Sequence, residues 1–224
     1  MNQISNFNIN WDVPKHIKFF VSTNETGKSK GLYKSGNFSN TVGDDKQSVR
    51  ENINILKKQL NISNIAFMNQ THSSQIKAIN YFKSIKKCDA IYTTRRHIAC
   101  AVLTADCIPL LVTDQAGSFV GCIHAGWRGL YKGIIQKYFM QLKSQNFRDF
   151  KVLLGPCISP CHYEVDSDLL QKFSSYMNSF KLKNNGKYMM DIISLTQNIL
   201  NKIGVYDVTI TRSCTYNDKR FYSY

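Results

Sequence analysis

Two imidazoles and one thiol occupy positions from which metal chemistry could be run. His124 opens the stretch His124-Ala125-Gly126-Trp127-Arg128-Gly129, directly after the apolar run Phe119-Val120-Gly121-Cys122-Ile123. A polar ring placed where a buried strand meets a glycine-bracketed turn costs free energy unless it finds a partner. Asn69-Gln70-Thr71-His72 and Leu103-Thr104-Ala105-Asp106-Cys107 offer that partner. Two histidines and a cysteine make a three-ligand set with an open fourth position, the arrangement of a catalytic zinc. The three lie too far apart to form a local loop, so only a tertiary fold can bring them together. Taken singly, His72 reads as a hydrogen-bonded loop histidine and Cys107 as a buried thiol. Asp106 before it and Ile108-Pro109 after it put Cys107 where a strand breaks off. Cys122 and His124 share one face of a strand, and Cys122 reads as a packed neighbour rather than a ligand.

Two other patterns fail on spacing. Thr26-Gly27-Lys28-Ser29 mimics the end of a phosphate-binding loop, yet Ser22 stands where that motif needs its first glycine. Gly31 and Gly36 then interrupt the helix that should follow. His162-Tyr163-Glu164 supplies the His-x-Glu of zinc nucleobase deaminases, in which the histidine precedes a Pro-Cys-x-x-Cys pair. Here Cys157 and Cys161 come first, with three residues between them. A turn of small buried residues is the simpler account, with a secondary metal site as its rival.

The elements that must position these residues follow from periodicity. Ile17 to Val21 reads as a first strand, followed by a polar loop through Asn37. Asp44-Asp45 offers N-caps to a helix with Val49, Ile53, Leu56 and Leu60 on one face. Ile65 to Met68 and Gln75 to Tyr81 read as strands flanking His72. Ala99 to Leu103 and Ile108 to Val112 are continuous apolar runs, as in strands covered on both faces. Leu130, Ile134, Tyr138 and Leu142 space out a helix, and Phe150 to Leu154 a strand. A helix from about Asp166 carries Leu169, Leu170, Phe173 and Met177, and another, capped by Asp191, carries Leu195, Ile199 and Ile203. Val208 to Thr211 and the tail Phe221-Tyr222-Ser223-Tyr224 close the sequence. Strands and helices mix irregularly rather than as repeated βαβ units, which predicts an α+β fold with mixed sheets in one domain over 1–224.

Composition narrows the classes. A chain of 224 residues that is 43% hydrophobic can bury a substantial core. Membrane spans and a signal peptide are not expected, and cytoplasmic residence is the default. Seven cysteines, an odd number, argue against a disulfide framework. The net charge of +14 comes from scattered lysines without a nucleic-acid-binding motif. It predicts attraction of small anions rather than of DNA or RNA.

Several segments together resemble the laccase-domain or polyphenol oxidase family, whose members include purine nucleoside phosphorylase-type proteins. They are Val42-Gly43-Asp44-Asp45, Gln70-Thr71-His72, Cys88-Asp89-Ala90-Ile91-Tyr92-Thr93, Leu103 to Pro109 and His124 to Leu130. Leu154-Gly155-Pro156-Cys157-Ile158, Tyr163-Glu164-Val165, Cys214-Thr215 and Phe221 to Tyr224 extend the match. The resemblance implies a four-layer α/β/β/α sandwich with two mixed sheets, open to an internal duplication. It implies a zinc held by His72, Cys107 and His124, which would also be the catalytic residues. The implied activity is phosphorolysis of adenosine, inosine, guanosine and methylthioadenosine, with adenosine deamination at the same site. Zinc lowers the pKa of a bound water to about 7, which suits deamination. Copper is chemically compatible with the same donors, although the sequence lacks the histidine clusters of a multi-copper enzyme. Arg128 is the candidate phosphate clamp, because its planar fork matches phosphate oxygens. Asn37 matches a substrate-contacting asparagine.

This chain departs from the family where Asn24 and Ile53 replace arginines. Arg50, three residues before Ile53 on the predicted helix, is the candidate substitute phosphate ligand. Rival readings are a Cys-His hydrolase or deamidase with Cys107 as nucleophile and His124 as base, a metal- or partner-binding module without turnover, and a copper-dependent polyphenol oxidase. A homodimer is open.

Overall fold

The computed structural model describes residues 3–80 and 87–224. Its largest sheet has six strands: β2 (Ile76–Ala78), β3 (Ala90–Thr93), β5 (Ile108–Asp114), β6 (Val120–Ala125), β7 (Phe150–Leu154) and β11 (Asp207–Ile210). They lie in the order β11-β7-β5-β6-β3-β2. The outer pairs β11–β7 and β2–β3 are parallel and the three inner pairs antiparallel, so the sheet is mixed. β1 (Asn64–Phe67) and β4 (Ile98–Ala101) form a separate parallel pair. β8 (Glu164–Val165), β9 (Phe180–Leu182) and β10 (Tyr188–Met190) form an antiparallel ribbon. Helices α1 (Lys46–Leu60), α2 (Trp127–Tyr131), α3 (Ile134–Ser144), α4 (Ser167–Lys172) and α5 (Ile192–Lys202) complete an α+β architecture.

Alternation along the central strands divides the interior. Leu110, Val112, Ile123, Ala125 and Leu154 pack with Ile135, Tyr138, Phe139 and Leu142 of α3 and Leu195 and Ile199 of α5. Ile91 and Cys122 point the other way, onto Ala66 and Met68. Ile65 in turn packs with Leu56 of α1, flanked by Ile53 and Leu60. Cys122 is therefore a packing residue, buried among apolar side chains.

Most expected elements are present, and the differences have local causes. Asp45 caps α1 by accepting from the Ser48 N–H at 2.8 Å. Ile17 to Val21 is not a strand. Phe19 meets Trp11 edge-on and Phe20 joins the α1-side core, but the backbone finds only an isolated bridge nearby, Asn6 to Ser22. The helix expected from Leu130 to Leu142 divides at Gly133, whose φ of 75° lies in the left-handed region. The helix expected from Asp166 ends at Lys172 and continues as a 3₁₀ segment, Ser174–Ser179. The strand expected over Gln75 to Tyr81 is observed as β2, and its last residue, Tyr81, lies outside the described residues.

Candidate metal centre

Four adjacent strands, β5, β6, β3 and β2, deliver polar residues to one end of the sheet. In the β5–β6 register Pro109 faces His124 and Ile108 faces Ala125, so Cys107, one residue before β5, arrives beside Gly126. In the β3–β6 register Ala90 faces Ile123, and the His124 N–H donates to the Asp89 carbonyl at 2.7 Å. β2 runs parallel to β3, with Ile76 beside Ala90, and His72 sits in the loop that enters it. The starts of β2, β3 and β5 and the end of β6 therefore coincide.

His72, Cys107 and His124 converge there, with one donor atom from each lying within 4.8 Å of the others. Cys107 Sγ is 3.8 Å from His72 Nε2, and the two imidazole rings meet at 4.7 Å with planes 72° apart. Metal–nitrogen and metal–sulfur bonds of about 2.0–2.3 Å place tetrahedral zinc donors about 3.3–3.8 Å apart. The three side chains thus fit one ion of borderline softness, zinc or copper, with small adjustments. Gly126 makes that closeness possible. A Cβ there would sit 2.7 Å from Cys107 Sγ and 3.0 Å from His72 Cδ2, between two of the donors.

One buried carboxylate organises both histidines. Asp89 Oδ1 accepts from His124 Nδ1 at 2.8 Å and from the His72 N–H at 2.9 Å. Oδ2 accepts from the Ser73 N–H and hydroxyl, and the Thr71 N–H reaches both oxygens. Successive peptide N–H groups wrapped on an anion form a nest, and His72 adopts a φ of 54° to complete it. With Nδ1 committed to Asp89, His124 presents Nε2 to the site, the usual support for a metal-ligating histidine.

The electrostatics follow from these contacts. Burial would raise the Asp89 carboxyl, but bonds from His124, Ser73 and Thr71 hold it far below the usual carboxylate range. For His124, burial opposes the cation, yet the Asp89 bond and then Cys107 outweigh it and lift the imidazole to about 9. His72 moves down, first through burial and then through the charge of His124. Asp89 opposes that shift, while Arg128 and Lys132 add to it more weakly.

The remaining candidate residues occupy two places. Arg128 is exposed on α2, stacked 4.3 Å over Trp127, and its charge reaches both His72 and Tyr163. Lys132 Nζ donates to the His72 carbonyl at 3.1 Å. Asn37 lies in the loop before α1 and Arg50 on that helix. The Asn37 amide is buried and bonded to Asp44 Oδ2 and the Ser39 carbonyl, and Arg50 is exposed. Asn52 is the hub beneath them: its Oδ1 accepts from the Lys28 N–H, and its Nδ2 donates to Ser29 Oγ and the Ser35 and Asn37 carbonyls. The tail joins the two places. Tyr222 donates to the Tyr33 carbonyl and feels the charge of Asp44, while Ser223 Oγ and the Tyr224 N–H donate to Asp106, beside Cys107. Asn24 binds the same tail through the Arg220 and Phe221 carbonyls.

Sequence reasoning missed Asp89, Gly126 and Lys132 as site residues. For Asp89 a signal existed: a carboxylate stands immediately before Ala90–Thr93, a strand buried along its whole length. Lys132 carried none, because an exposed lysine among 29 basic residues is not distinctive.

A mixed-sheet protein with a His-His-Cys set at one sheet end is the class that fold and site define. Residues 18–224 match the family model described as multi-copper polyphenol oxidoreductase laccase, and the chain belongs to that family. It is 35% identical to a Haemophilus influenzae protein named purine nucleoside phosphorylase, over 97% of this chain and 92% of that one. It is 31% identical to purine nucleoside phosphorylase YfiH of Escherichia coli, over 96% of this chain and 90% of that one. Among solved structures, a Neisseria meningitidis protein superposes with a TM-score of 0.88 at 32% identity, covering 96% of this chain and 90% of the other.

Proposed function

We propose that the chain is a zinc-dependent purine nucleoside phosphorylase that also deaminates adenosine, with His72, Cys107 and His124 as its metal ligands and catalytic residues. The observation that carries this reading is the meeting of those three donors around Gly126. The names of the relatives supply the substrate class. A bound zinc would supply Lewis acidity to an oxygen nucleophile. The protein's own part is positioning. Asp89 keeps the proton on His124 Nδ1, so that Nε2 faces the reacting groups. Arg128 offers two parallel N–H groups to phosphate, and Lys132 adds positive charge beside it. Asn37 contacts the nucleoside, and Arg50 supplies the charge missing at Ile53. One ion rather than several coppers is supported by the five histidines of the chain and the single three-donor grouping among the described residues. No helix among those residues is long and apolar enough to cross a membrane. Cytoplasmic residence and a homodimer belong to the same proposal.

Incubation of zinc-loaded protein with adenosine and phosphate is expected to give adenine and ribose 1-phosphate, together with inosine. Absence of both products above a Cys107→Ala control contradicts the proposal. Arg50→Ala is expected to raise the phosphate concentration needed for half-maximal rate, and an unchanged phosphate dependence removes Arg50 from the site.

A second reading has its own geometric support, since Cys107, His124 and Asp89 line up as nucleophile, base and orienter. It requires activity that survives chelation and is abolished by alkylating Cys107. The zinc reading requires the opposite response to chelation.

A further inference from the structure

Six cysteines lie outside the metal centre, and their surroundings divide them. Cys88, Cys100, Cys122 and Cys157 are thiols that burial pushes up, Cys88 to about 11 and Cys100 to about 12. They behave as packed apolar groups. Cys161 is exposed and Cys214 partly so. These two flank a single residue. The Ser159 N–H donates to Cys214 Sγ at 3.3 Å, and Ser159 Oγ lies 3.4 Å from Cys161 Sγ.

Cys214 has donors gathered around its sulfur. It opens a turn over 215–217, so the Tyr216 and Asn217 peptide N–H groups fold back on its sulfur and join that of Ser159. Burial opposes the charge, but the Ser159 hydroxyl first, and then the peptide N–H groups of Ser159, Asn217 and Tyr216, outweigh it and bring the thiol below its ordinary value. Donors converging on a sulfur stabilise the thiolate, which is the reactive form. Behind it, Cys157 is its bridge partner, fully packed and too costly to ionise. Cys161, on the solvent side of Ser159, is the accessible second thiol.

We propose that Cys214 is a peroxide-reactive thiol and that Cys161 is its resolving partner. The Cys214 thiolate attacks one oxygen of a hydroperoxide, forming the S–O bond as the O–O bond breaks. The departing alkoxide or hydroxide takes a proton from water, and Cys214 becomes a sulfenic acid. Cys161 sulfur then attacks Cys214 sulfur, the S–O bond breaks, and the Cys161 proton leaves with the oxygen as water. In sum, two thiols and one hydroperoxide give a disulfide, one water and one alcohol (a second water when the oxidant is hydrogen peroxide).

The test is peptide mapping by mass spectrometry of the purified full chain after brief exposure to stoichiometric hydrogen peroxide. The expected product is a Cys161–Cys214 linked peptide that disappears on reduction. In Cys161→Ser the link is lost, and Cys214 is instead trapped as a sulfenic acid by a 1,3-diketone probe. In Cys214→Ser the link is lost and Cys161 takes no probe. Wild-type protein in which Cys214 stays reduced while other cysteines oxidise overturns the proposal. A Cys157–Cys214 link overturns the assignment of Cys161.

Discussion

Asp89 shows how one side chain sets the chemistry of others. Its two oxygens serve His124, His72, Ser73 and Thr71, so the orientations of both candidate histidine ligands depend on a group that is not itself one of the three converging donors. Partners of this kind typically contribute about 10- to 100-fold to metal affinity. Asp89→Asn is therefore expected to weaken zinc binding on that scale, as read by competition with a chromophoric chelator, and an unchanged affinity would remove Asp89 from its supporting role. Gly126→Ala keeps a backbone that alanine adopts readily, φ −76° and ψ 164°. Its added carbon must displace Cys107 or His72, so zinc affinity is expected to drop about tenfold or more while the circular dichroism spectrum stays the same. Proton linkage gives a third expectation. In the metal-free protein the His124 pKa is raised to about 9, so at pH 7 the ring is protonated and zinc must displace that proton. Zinc affinity should rise with pH until about 9, and calorimetry in buffers of different ionisation enthalpy should register proton release. The same raised pKa stabilises the metal-free fold below about 6.5 and ceases to do so as pH climbs through 9. Zinc uptake without proton release at pH 7 contradicts the His124–Asp89 account.

The strands and helices explain why those residues meet, and also which parts of the molecule were readable beforehand. β5, β6, β7, α1 and α5 were legible because long runs of apolar periodicity and the Asp45 and Asp191 caps are local signals. His72, Cys107 and His124 were legible as a candidate metal set through donor type and the family resemblance. Their meeting depends on strand order, which spacing does not encode. Ile17 to Val21 had the apolar pattern of a strand but no long neighbour to pair with. The break at Gly133 was written in the sequence, yet apolar spacing on both sides masked it. The loop at 24–44 was opaque for another reason: its order comes from a buried polar side chain on the helix that follows it. Asn52 holds Lys28, Ser29, Ser35 and Asn37 at once. Asn52→Ala leaves several buried polar groups without partners, at about 1–3 kcal/mol each before relaxation. A loss of about 2–3 kcal/mol, seen as a lower urea midpoint, is expected. A midpoint equal to wild type would mean that the loop does not depend on this hub.

At the scale of the whole molecule, three segments far apart in sequence are joined only by the completed sheet. The candidate centre therefore reports on the entire fold: an ion bound only by the native chain adds stability by mass action, and its donors come from the loop before β2, the residue before β5 and the end of β6, which local refolding cannot bring together. The tail extends the same dependence, running from Tyr33 and Asp44 to Asp106 and linking the Asn37 and Arg50 region with the three donors. The chain's net charge of +14 is of the sign that attracts small anions. The most direct measurement is X-ray absorption at the zinc edge on protein loaded with one equivalent of zinc. The account predicts one sulfur at about 2.3 Å and two imidazole nitrogens at about 2.0–2.1 Å, with the sulfur contribution gone in Cys107→Ala. A shell of nitrogen and oxygen alone in the wild-type protein, or a sulfur that persists in that variant, would contradict it.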